Sequence, residues 1–213
     1  MTLMNILLFI SILILLGLSV WLLYSRYQTL PCPAWLSWMV EMDNPFIKVH
    51  HASIIIYNLD IAPGMKVVDA GCGPGRLTIP LAHKLGPLGE VVALDIQEEM
   101  LTKVAKKAQI VNLHNIQFLK AGIGEGKLQH NQFDRALLVT VLGEIPNQAS
   151  ALKELFDALK SGGILSITEI ILDPHFQSKS TVLRLAKTAG FREKNCFGGR
   201  FAFTMLLEKP QDL

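Results

Sequence analysis

The sequence predicts an α/β protein: a doubly wound, mostly parallel sheet of seven strands with an antiparallel C-terminal strand, preceded by one transmembrane helix. Three observations predict it. Between residues 67 and 189, short β-branched runs alternate with amphipathic helical stretches, the pattern of strand–helix units on a parallel sheet. Within that pattern, Val67 and Val68 run into a turn holding Gly71, Gly73 and Gly75, and a helical pattern follows Arg76. Ahead of it, residues 3–24 are almost unbroken Leu, Ile, Phe and Val without a charge.

The N-terminal run comes first. It is interrupted only by Asn5, Ser11, Gly17 and Ser19. Its roughly 22 residues would span about 33 Å as a helix, enough for a bilayer core. A cleaved signal peptide would want a basic start, a shorter apolar core and a small-residue cleavage site, so a retained anchor is expected. Arg26 follows the run and no Lys or Arg precedes it. The positive-inside rule then puts the rest of the chain on the cytoplasmic side of a single-pass membrane protein. A length of 213 residues divides into an anchor at 1–25, a linker or interfacial segment at 26–43, and one domain at 44–213.

Prolines stiffen the exit at 30–34, and Trp35, Leu36, Trp38, Met39 and Met42 follow at spacings that form one helical face. Two readings stay open: a helix lying in the lipid interface, where indoles prefer to sit, or a cover packed on the domain. Residues 46–59 read as a helix with Asn44 as cap and Pro45 in the first turn. It carries Ile47, Val49, His50, Ile54 and Tyr57 toward the sheet. His50 and His51 are adjacent and face different ways, so they make no paired metal site.

The stretch 67–76 is a buried strand, a glycine turn and a helix start. Glycine at 71, 73 and 75 removes the Cβ atoms that would hold a ligand off the backbone. The helix at 77–85 is expected to aim free N–H groups at the turn. Asp69 sits at the carboxyl end of the strand, where open α/β sheets place ligands. A second strand, 90–94, ends in Asp95, an acid placed to bind the two hydroxyls of a ribose. The helix at 97–109 shows Lys103, Lys106 and Lys107 on what reads as a solvated face. Strands follow at 116–120 and 133–142, the latter apolar enough to be buried on both faces. A loop at 143–146, a helix at 150–159, a turn at 160–163 and a fifth strand at 164–170 come next. A helix at 180–189 and strands at 192–197 and 201–208 complete the chain.

A dinucleotide fingerprint is G-x-G-x-x-G. Here an acid is followed by G-x-G-x-G at 69–75, which resembles motif I of the class I S-adenosylmethionine (SAM) dependent methyltransferases. The Phe133-Asp-Arg run and the Leu159-Lys-Ser-Gly-Gly-Ile-Leu165 turn and strand resemble that family too, and the likeness covers roughly 46–209. The resemblance implies a Rossmann-like fold closed by an antiparallel hairpin, with SAM as cofactor. It places cofactor contacts at Asp69, Gly71, Cys72, Gly73, Gly75, Asp95, Ile96, Gly122 and Ile123. Gly122 stands where the family often carries an acid near the adenine, leaving Ile123 to contact the ring through its backbone. The pattern is similar to the ubiquinone/menaquinone C-methyltransferase and phospholipid N-methyltransferase group.

Methyl transfer from a sulfonium needs mainly proximity and orientation, and a base only where the acceptor must lose a proton. The candidates lie beyond strands four and five: Glu144 and His175, with Asp173 beside them. Glu169, inside strand five, reads as structural. Cys32, Cys72 and Cys196 are scattered, without zinc spacing or a disulfide framework, and no metal is expected. Beyond Pro33 acids and bases nearly cancel, which gives no footprint for nucleic acid. With a short link after strand five in place of a long lid, and an anchor ahead of the domain, the expected acceptor is a lipid or lipophilic small molecule at the membrane. The alternatives are a membrane-tethered protein methyltransferase and a non-catalytic SAM-binding module. Oligomeric state stays open.

Overall fold

Strand formation follows the apolar runs. In the computed structural model, which describes residues 3–28, 32–33, 37–44 and 46–211, they form one seven-stranded sheet. Its strands are β1 (Lys66–Ala70), β2 (Glu90–Asp95), β3 (Ile116–Lys120), β4 (Phe133–Val139), β5 (Leu159–Ile170), β6 (Arg192–Gly198) and β7 (Ala202–Glu208). The order across the sheet is β3-β2-β1-β4-β5-β7-β6. All neighbours pair in parallel except β7, which runs antiparallel to both β5 and β6. Strand order reverses beside β1, so the crevice at its carboxyl end is the place for a ligand. Ala70 lies opposite Leu94 and Leu138, which brings the ends of β1, β2 and β4 to that one edge.

Side chains alternate faces along each strand and so feed two cores. Val67, Val91 and Leu137 pack against α3 (Ala52–Asn58) and α4 (Thr78–Leu85). Val68, Val92 and Leu138 pack on the other face, against α6 (Gln148–Ala158) and α7 (Lys179–Ala189). Cys72 and Ala93 meet Leu101 and Val104 of α5 (Glu98–Ile110). Leu137 and Leu138 are wholly buried on opposite faces, and each contributes about 2 kcal/mol by leaving water.

Three expectations change. The helix expected over 46–59 is a single 3₁₀ turn, Lys48–His50, followed by α3, because His51 is extended between them. The His51 ring bonds Asn44 O at 2.8 Å, while Asp43 Oδ1 accepts the first free N–H of α3 from Ala52 at 3.1 Å. The break changes the buried face to Ile55, Ile56 and Leu59, leaving Ile54 and Tyr57 exposed. Asn44 still caps locally, accepting from Phe46 N at 2.9 Å. Secondly, β4 stops at Val139, since Thr140 takes a left-handed φ of 55°. Thirdly, the turn expected at 160–163 is a bulge inside β5: Phe133 pairs with Leu159 and Arg135 with Ile164.

The apolar N-terminal run falls on α1 (Leu3–Gln28), a helix of 26 residues, or about 39 Å at 1.5 Å per residue. Its side chains are described at 4–14, 16, 17, 19 and 20. Among the described residues no helix is long and apolar enough to cross a membrane. Trp35, Leu36 and Pro45 lie outside the described residues. The remainder of that segment includes α2 (Ser37–Glu41), whose Ser37 is buried and whose Trp38 and Met39 are exposed.

Candidate cofactor and acceptor site

The glycine turn is closed by its own amides. Gly71 N and Cys72 N both donate to Leu94 O, at 2.8 and 2.9 Å, and Gly75 N donates to Cys72 O. Gly73 N donates to Asp95 Oδ2 at 2.9 Å. Pro74 has no N–H. The N–H groups of Gly71, Cys72, Gly73 and Gly75 are therefore engaged within the protein, which leaves these glycines no cradle of amides for a pyrophosphate. What it offers is close approach: a Cβ built on Gly73 meets nothing nearer than Val40 Cγ1 at 4.0 Å, and its φ is 51°. An adenosyl ligand with a sulfonium fits such a turn better than a dinucleotide does.

Asp95 is 7% exposed. Its second oxygen accepts from Gln97 N at 2.9 Å, and burial raises its pKa against these backbone bonds. Each oxygen keeps a second lone pair, which suits a pair of ribose hydroxyls. Asp69 does something else. It is buried behind the turn, accepts from Thr78 Oγ1 at 2.6 Å, and burial lifts its pKa to about 6 despite that bond and the nearby Arg76 charge. Its carboxylate locks the first turn of α4 to β1. Cys72 is an inert core thiol, pushed up by burial and by Asp69 and Asp95.

The far end of the cleft holds a residue the sequence did not announce. Ala121 N donates to Asp95 O, which sets the loop after β3 beside β2. A Cβ on Gly122 would lie 2.6 Å from Glu125 Oε1. The Glu125 carboxylate thus folds back into the space that an acid at position 122 would fill. Ile96, more than half exposed, supplies an apolar surface next to Asp95, and Ile123 packs on the core. An acid three residues past the glycine, within a tight turn, was the only signal available.

The N-terminal segment closes over this edge. Cys32 O accepts from Gln97 Nε2 at 3.0 Å, and Ser37 Oγ meets Lys103 Nζ at 2.5 Å. Lys107 Nζ bonds both Glu41 and Pro74 O. Arg76, its side chain 8% exposed, donates to Asp43 Oδ1 at 2.7 Å and His50 O at 2.8 Å. His50, buried against that guanidinium, has its pKa lowered to about 4 and stays neutral. Lys103 and Lys107 are thus structural clasps and not a solvated face. Of the two readings for this segment, the covering one holds for Ser37 and Val40, while Trp38, Met39 and Met42 are left facing outward.

On the acceptor side, Thr140 N donates to Thr168 O, and Leu142–Glu144 forms a 3₁₀ turn. Gly143 lies so close to the loop after β5 that a Cβ there would be 1.9 Å from His175 O. The His175 ring is nearly enclosed; its backbone N donates to Asp173 Oδ1 at 2.7 Å, and its Nδ1 lies 3.7 Å from the same oxygen. Burial, then the charges of Asp173, Asp95 and Glu169, lift Glu144 to about 8. Burial lifts Glu169 to about 8 as well, although its Oε2 accepts from Gln177 N at 3.0 Å. Asp173 is raised by burial. The structure therefore brings Glu144, Asp173 and His175 together and adds Glu169, whose Oε1 is buried with no partner. Cys32 reaches the same place: burial, then Glu144 and Asp173, raise its thiol to about 11. Cys72 and Cys196 do not join it, and no metal-holding cluster is found among the described residues.

The family described as "Methyltransferase domain" matches residues 61–204, from just ahead of β1 into β7. The chain belongs to this family. A demethylmenaquinone methyltransferase of Bacillus cereus (strain ATCC 10987 / NRS 248) is 33% identical over 105 residues, 49% of this chain and 44% of that protein. The chain thus matches less than half the length of such curated relatives. A SAM-dependent methyltransferase from Aquifex aeolicus has a TM-score of 0.74 at 21% identity, covering 84% of this chain and 100% of that one. The [4+2]-cyclase SpnF has a TM-score of 0.68 at 16% identity, with 76% and 80% covered. At these identities the likeness shows the fold, and a cyclase on it shows that fold does not fix reaction. The domain is a SAM-dependent methyltransferase domain, with SAM as methyl donor.

Proposed function

We propose that the protein is a membrane-anchored methyltransferase that transfers the methyl group of SAM to a lipid or other lipophilic small molecule at the cytoplasmic membrane surface. The observation that carries this reading is the path of the chain. The uncharged apolar run on α1 leads directly into the segment clasped over the cofactor edge. The described side chains of α1, such as Leu7, Phe9 and Ile12, are exposed, which supports a helix meant for an apolar solvent. Only residues 171–178 separate β5 from α7, too few for a lid, which supports an acceptor whose cover comes from the membrane. Relatives named for demethylmenaquinone support a small-molecule acceptor.

SAM, when bound, supplies a methyl group on sulfonium sulfur, already activated for in-line displacement. The residues of this chain do the rest. Asp95 and the Gly73 turn hold the nucleoside, Glu125 stands ready to accept from the adenine amino group, and α2 excludes water from above. Glu144, with a pKa near 8, takes a proton from an acceptor O–H or N–H in its ionised form, which gains as pH rises toward that value. His175, held by Asp173, orients that acceptor.

Incubating the full chain with methyl-labelled SAM and membrane extract tests the reading. Label is expected in the lipid phase. Label appearing only in protein, or only in water-soluble products, refutes it, and SAM binding with no label transferred points to a non-catalytic module.

A further inference from the structure

Six of the domain's exposed apolar side chains lie on the carboxyl side of the sheet, where the chain arrives from α1. Trp38, Met39 and Met42, on and just after α2, are more than half exposed, and Ile171 and Leu172 in the loop after β5 are exposed too. Phe201 backs that loop, its carbonyl accepting from Ile171 N at 2.7 Å. Single exposed apolar groups need no account, but six along one edge of a sheet mark a contact surface.

The tether decides what covers them. Gln28 ends α1, and four residue steps to Cys32 reach about 14 Å at full extension. Cys32 is itself fixed on the carboxyl edge of the sheet by Gln97, within range of the charges on Glu144 and Asp173. With α1 embedded, that edge cannot stand farther than about 14 Å from the helix end, which keeps it in or close to the headgroup layer. A protein partner would have to displace lipid to reach it.

We propose that the carboxyl edge of the sheet, through Trp38, Met39, Met42, Ile171, Leu172 and Phe201, is a lipid-facing surface that seats the acceptor site on the bilayer. It rests on the anchor reading above. Indole, thioether and aliphatic groups suit the boundary between headgroups and chains. Arg200, 5.6 Å from the centre of the Phe201 ring, adds a cation that favours anionic headgroups. Behind the edge lie Glu144 and His175, so an acceptor dissolved in the membrane reaches them without crossing water.

The test uses the full chain in vesicles of phosphatidylcholine and phosphatidylglycerol, with SAM binding confirming each variant's fold. Trp21→Phe with Trp35→Phe leaves Trp38 as reporter. A variant with all three tryptophans replaced by Phe carries Leu172→Trp, and another carries Leu88→Trp in the turn just before β2, at the opposite edge. Brominated lipid chains are expected to cut emission from Trp38 and from the Leu172→Trp reporter about twofold, as for indoles at headgroup depth, and to spare the Leu88→Trp reporter. Quenching of both edge reporters no greater than that of the control overturns the proposal, and is the result a protein partner or a second copy on this edge would give. Alkaline carbonate extraction reads α1 separately. A chain that resists extraction while its edge is unquenched keeps the anchor and loses the surface; one that is extracted after its edge was quenched keeps the surface and loses the anchor.

Discussion

Gly73 N and Asp95 Oδ2 are joined across 2.9 Å, so one carboxylate spans the turn after β1 and the end of β2. Asp95→Ala therefore removes the proposed ribose acceptor and also strands a Gly73 N–H. We expect SAM affinity to fall by about 1–3 kcal/mol, with a loss of similar size in stability. Asp95→Asn, which can still accept from Gly73, should recover stability more than affinity. Calorimetry and thermal melts separate the two, and undiminished SAM affinity in Asp95→Ala would remove the ribose role.

A methyl group at position 143 has no room against His175 O. Gly143→Ala must push apart the loops after β4 and β5, and overpacking of this kind costs about 1–3 kcal/mol. Methyl transfer should drop while SAM binding, built on β1 and β2, is unchanged. Equal turnover by wild type and Gly143→Ala would mean that the contact between the loops does not position the acceptor.

Glu144 and Glu169 are each raised from 4.5 to about 8. Between these values the folded chain holds protons that the unfolded chain releases. Their effect on stability is most favourable below about pH 4.5, declines as pH rises, and levels off above about pH 8. Melting temperature across that window should fall less steeply in Glu144→Gln with Glu169→Gln than in wild type. A slope unaltered by the double change would show that neither acid is buried in its protonated form. For activity the sign is opposite: turnover should rise through about pH 8 and lose that limb in Glu144→Gln.

The Glu125 carboxylate lies beside Gly122, and in the function proposed above it accepts from the adenine amino group. Glu125→Gln should weaken S-adenosylhomocysteine by about 1 kcal/mol, the worth of one hydrogen bond. The inosine analogue, which lacks the amino group, should bind both proteins alike. Calorimetry with the two ligands measures this directly, and parallel losses for both would deny Glu125 any role in reading the base.

What was legible in the sequence was local. The order Val67-Val-Asp, three glycines and an acid at 95 lies within thirty residues, and it announced the strand, the turn and the place of Asp95 at the end of β2. Contacts made across the chain were not legible. Lys107 reads as solvated until Glu41 and Pro74 are brought to it by the fold, and Lys103 until Ser37 is. Glu125 left only a faint trace, an acid three residues past Gly122, and that spacing does not say the side chain folds back. The helical pattern of 46–59 runs through His51 without interruption, and only the ring's bond to Asn44 O, with Asp43 capping Ala52, separates the two segments. Strand four kept its apolar run past Thr140, whose left-handed backbone no composition rule announces.

Arg76 leaves the glycine turn and grips Asp43 on the way back toward α1. By reciprocity, if that grip favours the ligand-bound turn, ligand binding favours the grip by the same free energy. A ligand that steadies the turn would then also steady Asp43, on the domain's side of the link to α1. Protease cutting between Gln28 and Ser37 should slow as SAM is added, and Asp43→Ala should abolish the difference. A chain of this design would report the methylation state of its surroundings through how closely it hugs its own first helix.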